Sequence, residues 1–527
     1  MMTTDKERID SKFDSRYRNL LSMETLSEIK EESINKELFL GKSFQEKLFL
    51  QKRIQLPKPN INTTSSNSTN SFIEKNISIS PDLYHKCKEA IFTLEQLNDI
   101  INHFNSDNLN SKYIGFVGIR KLLLREENPP INIIFENELL HGIIEGLNMS
   151  VEFQYEALWC LINISFGKNK ESEKIIKEGG YEKILNLLNH NLDEIKEMAL
   201  WCIDNFVHES LKTKKLLANK SLFNKLITLL ATTSNEKIIS HCVSIIRILI
   251  KHFPNKKLEK IDIKKLINLI SKLIIFIDYY SVNESEKNIL YDCCFILSYI
   301  SENIKQYKDI LLENGVIQHI IKLIKTPNIE KDEYLFYILL NIIGNIINGN
   351  VNQTNQILNY GIIDILKKNI TTKNKKLQKE ICWIISNISA DIPKNKKLLI
   401  DIGLFPILCD IYNKSERSIR IEVIYALCNL TQVNDKYYLD YIINNGILNI
   451  ICSGMKSNET KEIVVCLEAL IYLLHYGKKT SKDGTNFIGN EIEKMGMLDV
   501  LENLQYNKSE IIYEYTYEII KKFFPYE

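Results

Sequence analysis

The feature that most constrains this chain is a helical motif that returns at a fixed step. ALWCLINIS (157–165), ALWCIDNFV (199–207), ICWIISNIS (381–389) and IYALCNLT (424–431) each carry an aromatic residue, three further residues, then Asn. Trp159 and Asn163 become Trp201 and Asn205 after 42 residues; Trp383 and Asn387 become Tyr425 and Asn429 after 42; Asn345 precedes Asn387 by 42. Between the motifs lie a Gly-containing turn and another apolar helical run, as in KEGGYEKILNLL, LENGVIQHIIKLI and LIDIGLFPILCDI. A short helical unit cannot bury its apolar face alone and must stack on copies of itself, so the period fixes the architecture before any single helix does. Backbone breakers are scarce, with 19 Gly and 10 Pro in 527 residues. That is about half the usual share and disfavours sandwiches, barrels and Gly-rich linkers.

A period near 42 with two or three helices per unit is the signature of armadillo and HEAT repeats. About ten units fit residues 81–527. The expected fold is therefore all-α, a right-handed superhelical solenoid of about ten armadillo repeats with a long concave groove, preceded by a flexible N-terminal helical segment. Three zones follow: a charged segment, 1–55, with one helical stretch from Leu20 to Arg53; a Ser/Thr/Asn-rich linker, 56–80, with two prolines; and the repeat domain, 81–527.

Charge and composition exclude several classes. Lys and Arg number 67 against 66 Asp and Glu, a net +1, without the basic excess of a nucleic-acid binder. The most apolar stretch, Tyr334–Ile347, is 14 residues and contains Asn341 and Asn345, short of the roughly 20 a membrane span needs. The N-terminus is polar and reads as no secretory signal. Eleven cysteines sit singly apart from Cys293-Cys294, without CxxC or zinc spacing. They read as small buried hydrophobes in a reducing, cytosolic or nuclear compartment. No phosphate loop, dinucleotide loop, HExxH or GxSxG is present, so neither enzyme, cofactor nor metal is expected.

An aromatic and an Asn four apart on a helix share one face. The aromatic alone reads as core. Asn is a poor core residue because its amide must be satisfied, and its recurrence at one phase in five repeats makes a row. An amide offers both donor and acceptor to the backbone of an extended peptide. Tryptophans one turn away form walls for lysine and arginine stems, each contributing about 0.5–2 kcal/mol of cation–π attraction. The row predicts a receptor for an extended, basic, sequence-tolerant peptide.

These residues resemble the importin-alpha (karyopherin-alpha) family, the adaptors that bind nuclear localisation signals. FVGIRKLLLREENPPINIIF (116–135), with Asn128-Pro129-Pro130-Ile131, resembles the family's first repeat. LQKEICWIISNISA (377–390) resembles its seventh, and IGNEIEKMGMLDVLENLQYNKSEIIYEYTYEIIKKFF (488–524) its C-terminal helices. The resemblance implies a major signal-binding site of Trp159, Asn163, Trp201 and Asn205, with a lysine pocket of the Gly167 carbonyl, the Ser172 hydroxyl and the Glu209 carboxylate. It implies a minor site of Asn345, Gly349, Thr354, Trp383, Asn387, Tyr425 and Asn429. Glu380 and Glu422, three residues before an aromatic, pair there with arginine or lysine heads. It further implies basic cargo signals, importin-beta and a recycling exportin as partners, and shuttling between cytoplasm and nucleus.

The chain also departs from the family pattern. The fourth repeat is expected to hold Val243 and Arg247 at its Trp and Asn positions, and the sixth holds Asn341 where the family has Arg. Phe295 and Tyr299 match the fifth repeat. About ten residues are inserted between the fourth and fifth, and 251–265, with six lysines, reads as a solvated loop. Residues 1–58 carry 12 basic and 10 acidic residues. There the family's Arg-rich importin-beta-binding helix is reduced to a degenerate form whose nearest basic cluster is Lys52-Arg53, or is replaced by a solvated amphipathic tail. An armadillo scaffold that binds other extended peptides without import is the alternative reading.

Overall fold

The computed structural model describes residues 79–124, 129–165, 171–252, 261–277, 279, 283–327, 329–481 and 485–524. The charged segment 1–55, with Lys52 and Arg53, and nearly all of the linker lie outside them, as do Gly167, Asn128 and 253–260. Every regular element among the described residues is helical.

The chain divides into two compact units after Ile261. In the first, four long helices (Leu109–Leu123, Val151–Ser165, Asp193–Glu209 and Glu236–Ile250) pack in sequence, each on the next. In the second, six do the same: Glu284–Asn303, Glu333–Ile347, Lys375–Ser389, Arg417–Leu430, Thr460–Thr480 and Glu510–Phe523. These are the third helices of ten armadillo repeats, numbered here 1–10. A typical repeat precedes its third helix with two shorter ones, such as Pro393–Asp401 and Leu404–Lys414 before Arg417–Leu430.

Local sequence explains the boundaries. The third helices of repeats 1, 4, 5, 6 and 7 begin at an Asn or Asp whose side chain accepts a backbone N–H, as at Asn235, Asp332 and Asn374, the usual relief for orphan donors at a helix start. The turn between first and second helices needs a left-handed residue. Gly315 (φ 77°) and Gly403 (φ 76°) supply it, at no Cβ penalty. In repeat 2 the same place is held by Glu138 (φ 53°), at the N-cap of Leu139–Gly146.

The core is continuous along each unit. Phe116, Phe153 and Phe206 from successive third helices are fully buried, and Phe116 meets Phe153 edge-on with centroids 5.4 Å apart. All eleven cysteines are free thiols and ten are buried, Cys409 being partly exposed. The basic stretch 251–265 is a loop only in part: Asp262 caps the helix Ile263–Phe276, which puts Ile263, Leu266 and Ile267 in the core. No described helix is long and apolar enough to cross a membrane.

Candidate peptide-binding site

The five asparagines stand at one register position of their third helices, but they are held in two ways. Asn205 donates to Ile162 O (3.2 Å) and Ser165 Oγ (3.0 Å) of the preceding repeat. Asn345 does the same to Ser298 O (3.3 Å) and Ser301 Oγ (3.2 Å), and Asn429 to Ser386 O (3.3 Å) and Ser389 Oγ (3.4 Å). Asn163 and Asn387 instead donate to the carbonyls of Trp159 (2.9 Å) and Trp383 (3.1 Å) in their own helices. Three of the amides thus hold neighbouring helices together, and two are held within their own helix. Asn205 Oδ1 is buried with no partner and keeps its acceptor capacity.

In the first unit the tryptophans have company as well. The guanidinium of Arg120 lies 4.9 Å from the Trp159 ring centroid and pairs with buried Glu156. Trp159 is 9% exposed and also meets Tyr155 edge-on. Trp201 is partly exposed and stacks on His241, centroids 6.3 Å apart. Beside that stack, buried Asp204 lies 3.1 Å from His241 Nδ1 and accepts from Ser244 Oγ at 3.2 Å. Burial opposes its ionisation, but hydrogen bonds from His208 and His241 outweigh burial and hold the carboxyl well below its usual range.

Two members of the expected lysine pocket, Ser172 and Glu209, come together from the first and third helices of repeat 3. The backbone N–H of Ser172 donates to Glu209 Oε2 at 2.8 Å. Ser172 Oγ and Glu209 Oε1 are both buried without a hydrogen-bond partner. Burial raises the Glu209 carboxyl above its ordinary range, against the lowering contacts of Ser172. A buried hydroxyl beside a buried carboxylate oxygen suits an ammonium with three donors.

In the second unit Thr354 is buried and donates to the helix-end carbonyls of Ile347 (3.1 Å) and Asn350 (3.2 Å). Gly349 lies under Gln353, so that a Cβ would fall 1.8 Å from Gln353 Oε1. Trp383 is partly exposed and packs on Gly344, where a Cβ would sit 2.3 Å from its ring. Tyr425 is buried. Glu380 accepts from Asn341 Nδ2 at 3.1 Å. Burial pushes the carboxyls of Glu380 and Glu422 up to about 7, and Glu422 Oε2 has no partner.

Two points differ from the sequence reading. In repeat 4, Val243 is fully buried. The burial pattern of Glu236–Ile250 repeats that of Asp193–Glu209 after 43 residues rather than 42. Ser244 and Ile248, not Val243 and Arg247, therefore stand where repeat 3 has Trp201 and Asn205, so the departure there is a lost aromatic and a lost amide. The second point is a residue that went unnoticed. Asp391 stands four residues after Asn387, as Glu209 does after Asn205, and 37 residues after Thr354, as Glu209 does after Ser172. Asp391 Oδ1 is buried without a partner, while Oδ2 accepts from Asn395 at 2.9 Å. The signal was the shared spacing of a hydroxyl and an acid.

Known proteins are similar to this chain in sequence and in fold. An Armadillo/beta-catenin-like repeat model matches residues 350–390. Rice importin subunit alpha-1b is 23% identical over 436 residues, covering 82% of this chain and 79% of its own. Importin subunit alpha-2 of Caenorhabditis elegans is 26% identical over 413 residues, covering 78% and 75%. A solved engineered protein superposes with a TM-score of 0.62 at 16% identity over 81% of this chain and 98% of its own, a likeness of fold. Over about four fifths of its length the chain is similar to importin alpha subunits. Repeat 4 lacks the Trp and Asn of repeat 3, while Ser172 and Glu209 stand together and Thr354 and Asp391 share their spacing in the second unit.

Proposed function

We propose that this chain acts as an importin-alpha: it binds basic nuclear localisation signals of cargo proteins on its third-helix face and links them to importin-beta. The observation that carries the reading is the Ser172–Glu209 pair, a buried hydroxyl and carboxylate oxygen without partners in the repeat that carries Trp201 and next to the one that carries Trp159. Burying unsatisfied acceptors costs stability, and a lysine ammonium from a peptide removes that cost. Trp201 then takes the stem of an adjacent basic side chain. Glu380, Glu422 and Asp391 offer the same chemistry in the second unit. Importin-beta binding falls to the N-terminal segment around Lys52 and Arg53, a recycling exportin returns the empty adaptor, and the protein shuttles between cytoplasm and nucleus.

The test is fluorescence anisotropy of the full chain with a labelled Lys/Arg-rich peptide, its Lys→Ala control, and the double variant Trp201→Ala, Glu209→Ala. Micromolar binding or better, roughly −8 kcal/mol, weakened by both controls, supports the receptor. Absence of binding at low salt rejects it. Pull-down of importin-beta with and without Lys52→Ala, Arg53→Ala tests the adaptor step.

A further inference from the structure

The Asn position of each third helix has a second landmark nine residues on, in the first helix of the next set. In repeats 2 and 6 it is a hydroxyl, Ser172 after Asn163 and Thr354 after Asn345. In repeat 3 it is the half-buried Lys214 after Asn205, and in repeats 5 and 7 of the second unit it is a buried lysine, Lys308 after Tyr299 and Lys396 after Asn387. Lys308 and Lys396 are each 4% exposed. Lys308 Nζ donates to Asn345 O and, at 3.1 Å, to Asn348 O. Lys396 Nζ donates to Asn429 O at 3.0 Å. Each ammonium thus caps the C-terminal end of the following repeat's third helix, where carbonyls lack intrahelical partners and the helix dipole is negative.

The hydroxyl positions are open where the lysine positions are filled. Ser172 Oγ and Glu209 Oε1 in the first unit, and Asp391 Oδ1 beyond Thr354 in the second, are buried acceptors without partners. We propose that Lys308 and Lys396 are built-in occupants of two lysine subsites, so that the second unit accepts a basic peptide side chain at the Thr354–Asp391 position and disfavours basic neighbours on either side. The inference rests on the peptide-receptor reading above. A second ammonium brought to carbonyls that already hold one meets like charge in a poorly solvated place. The two lysines therefore determine specificity: they favour a peptide with its basic residue flanked by uncharged or acidic ones over an unbroken basic run.

The experiment uses fluorescein-labelled hexalysine and the full chain carrying Trp201→Ala and Glu209→Gln, which silences the first unit. Lys396→Thr, which replaces the ammonium with the hydroxyl seen at Thr354, is expected to bind hexalysine about five-fold tighter and with steeper salt dependence. Lys396→Arg, which keeps the charge, is expected to match the parent. If Lys396→Thr keeps its circular dichroism and melting curve but does not bind more tightly, Lys396 is a structural cap alone and the proposal is overturned. Should that variant not fold, amine acetylation of the unsubstituted protein read by mass spectrometry decides. Protection of Lys308 and Lys396 with and without saturating hexalysine supports fixed occupants. Labelling of either upon peptide addition shows displaceable ones and overturns the proposal. Failure of unsubstituted and variant chains alike to bind hexalysine rejects the receptor reading, and the proposal with it.

Discussion

Asn205 reaches across to the preceding repeat and donates to Ser165 Oγ at 3.0 Å. The same relation joins Asn345 to Ser301 and Asn429 to Ser389. In each case the serine stands two residues after the Asn position of the earlier repeat. Where that place holds Ile347, the next asparagine, Asn387, turns back to its own helix. Ser165→Ala is therefore expected to remove one buried side-chain bond and cost about 1 kcal/mol, read by urea unfolding. It should also weaken basic-peptide binding, because Asn205 loses the contact that aims its amide. Unchanged peptide affinity in a destabilised variant would show that this bond serves the fold only.

Glu380 and Glu422 titrate near pH 7 because burial penalises their charged forms. Their folded pKa lies above the unfolded value, so the folded state binds more protons and stability rises as pH falls from about 7 toward the unfolded value near 4.3. Glu380→Gln is expected to stabilise the free protein at pH 8 by about 1–3 kcal/mol and to flatten that pH dependence. The ionised form is the one a cation recognises, so peptide affinity at the second unit should fall as pH drops from 8 to 6. Melting curves and anisotropy titrations across that range check both signs.

Glu138 takes a left-handed conformation where later repeats use glycine. A side chain there costs roughly 1–2 kcal/mol. Glu138→Gly is expected to recover about 1 kcal/mol of it, net of the entropy that glycine adds to the unfolded chain. Gly403→Ala should lose a similar amount at the matching place, since nothing crowds its Cβ and conformation alone opposes it. Opposite shifts in melting temperature would verify the pairing; equal signs would refute it.

Gly344 faces the Trp383 ring with no room for a methyl group. Gly344→Ala is expected to push the indole out of place, lower tryptophan anisotropy, and cost about 1–3 kcal/mol by overpacking. Peptide binding that involves the second unit should weaken in step. A variant with unaltered tryptophan emission would mean that the helices shift instead.

The sequence by itself carried the period and with it the fold, because an apolar face that recurs every 42 residues can be buried only against its own copies. It also carried the turn glycines, the caps and the asparagine register, since each is a local choice written within a few residues. In repeat 4 it misled by one position, because the step there lengthens to 43 and no local Asn marks the phase. Tertiary structure decided what the register positions do. Whether an amide is spent on the neighbouring helix, whether Lys396 lies in solvent or against the Asn429 carbonyl, whether Asp391 is paired, and how far Glu380 and Glu422 resist ionisation all depend on what the adjacent repeat places opposite. Those partners lie about one repeat away in sequence, and burial, which sets the energy of each acceptor and charge, exists only once the helices are stacked.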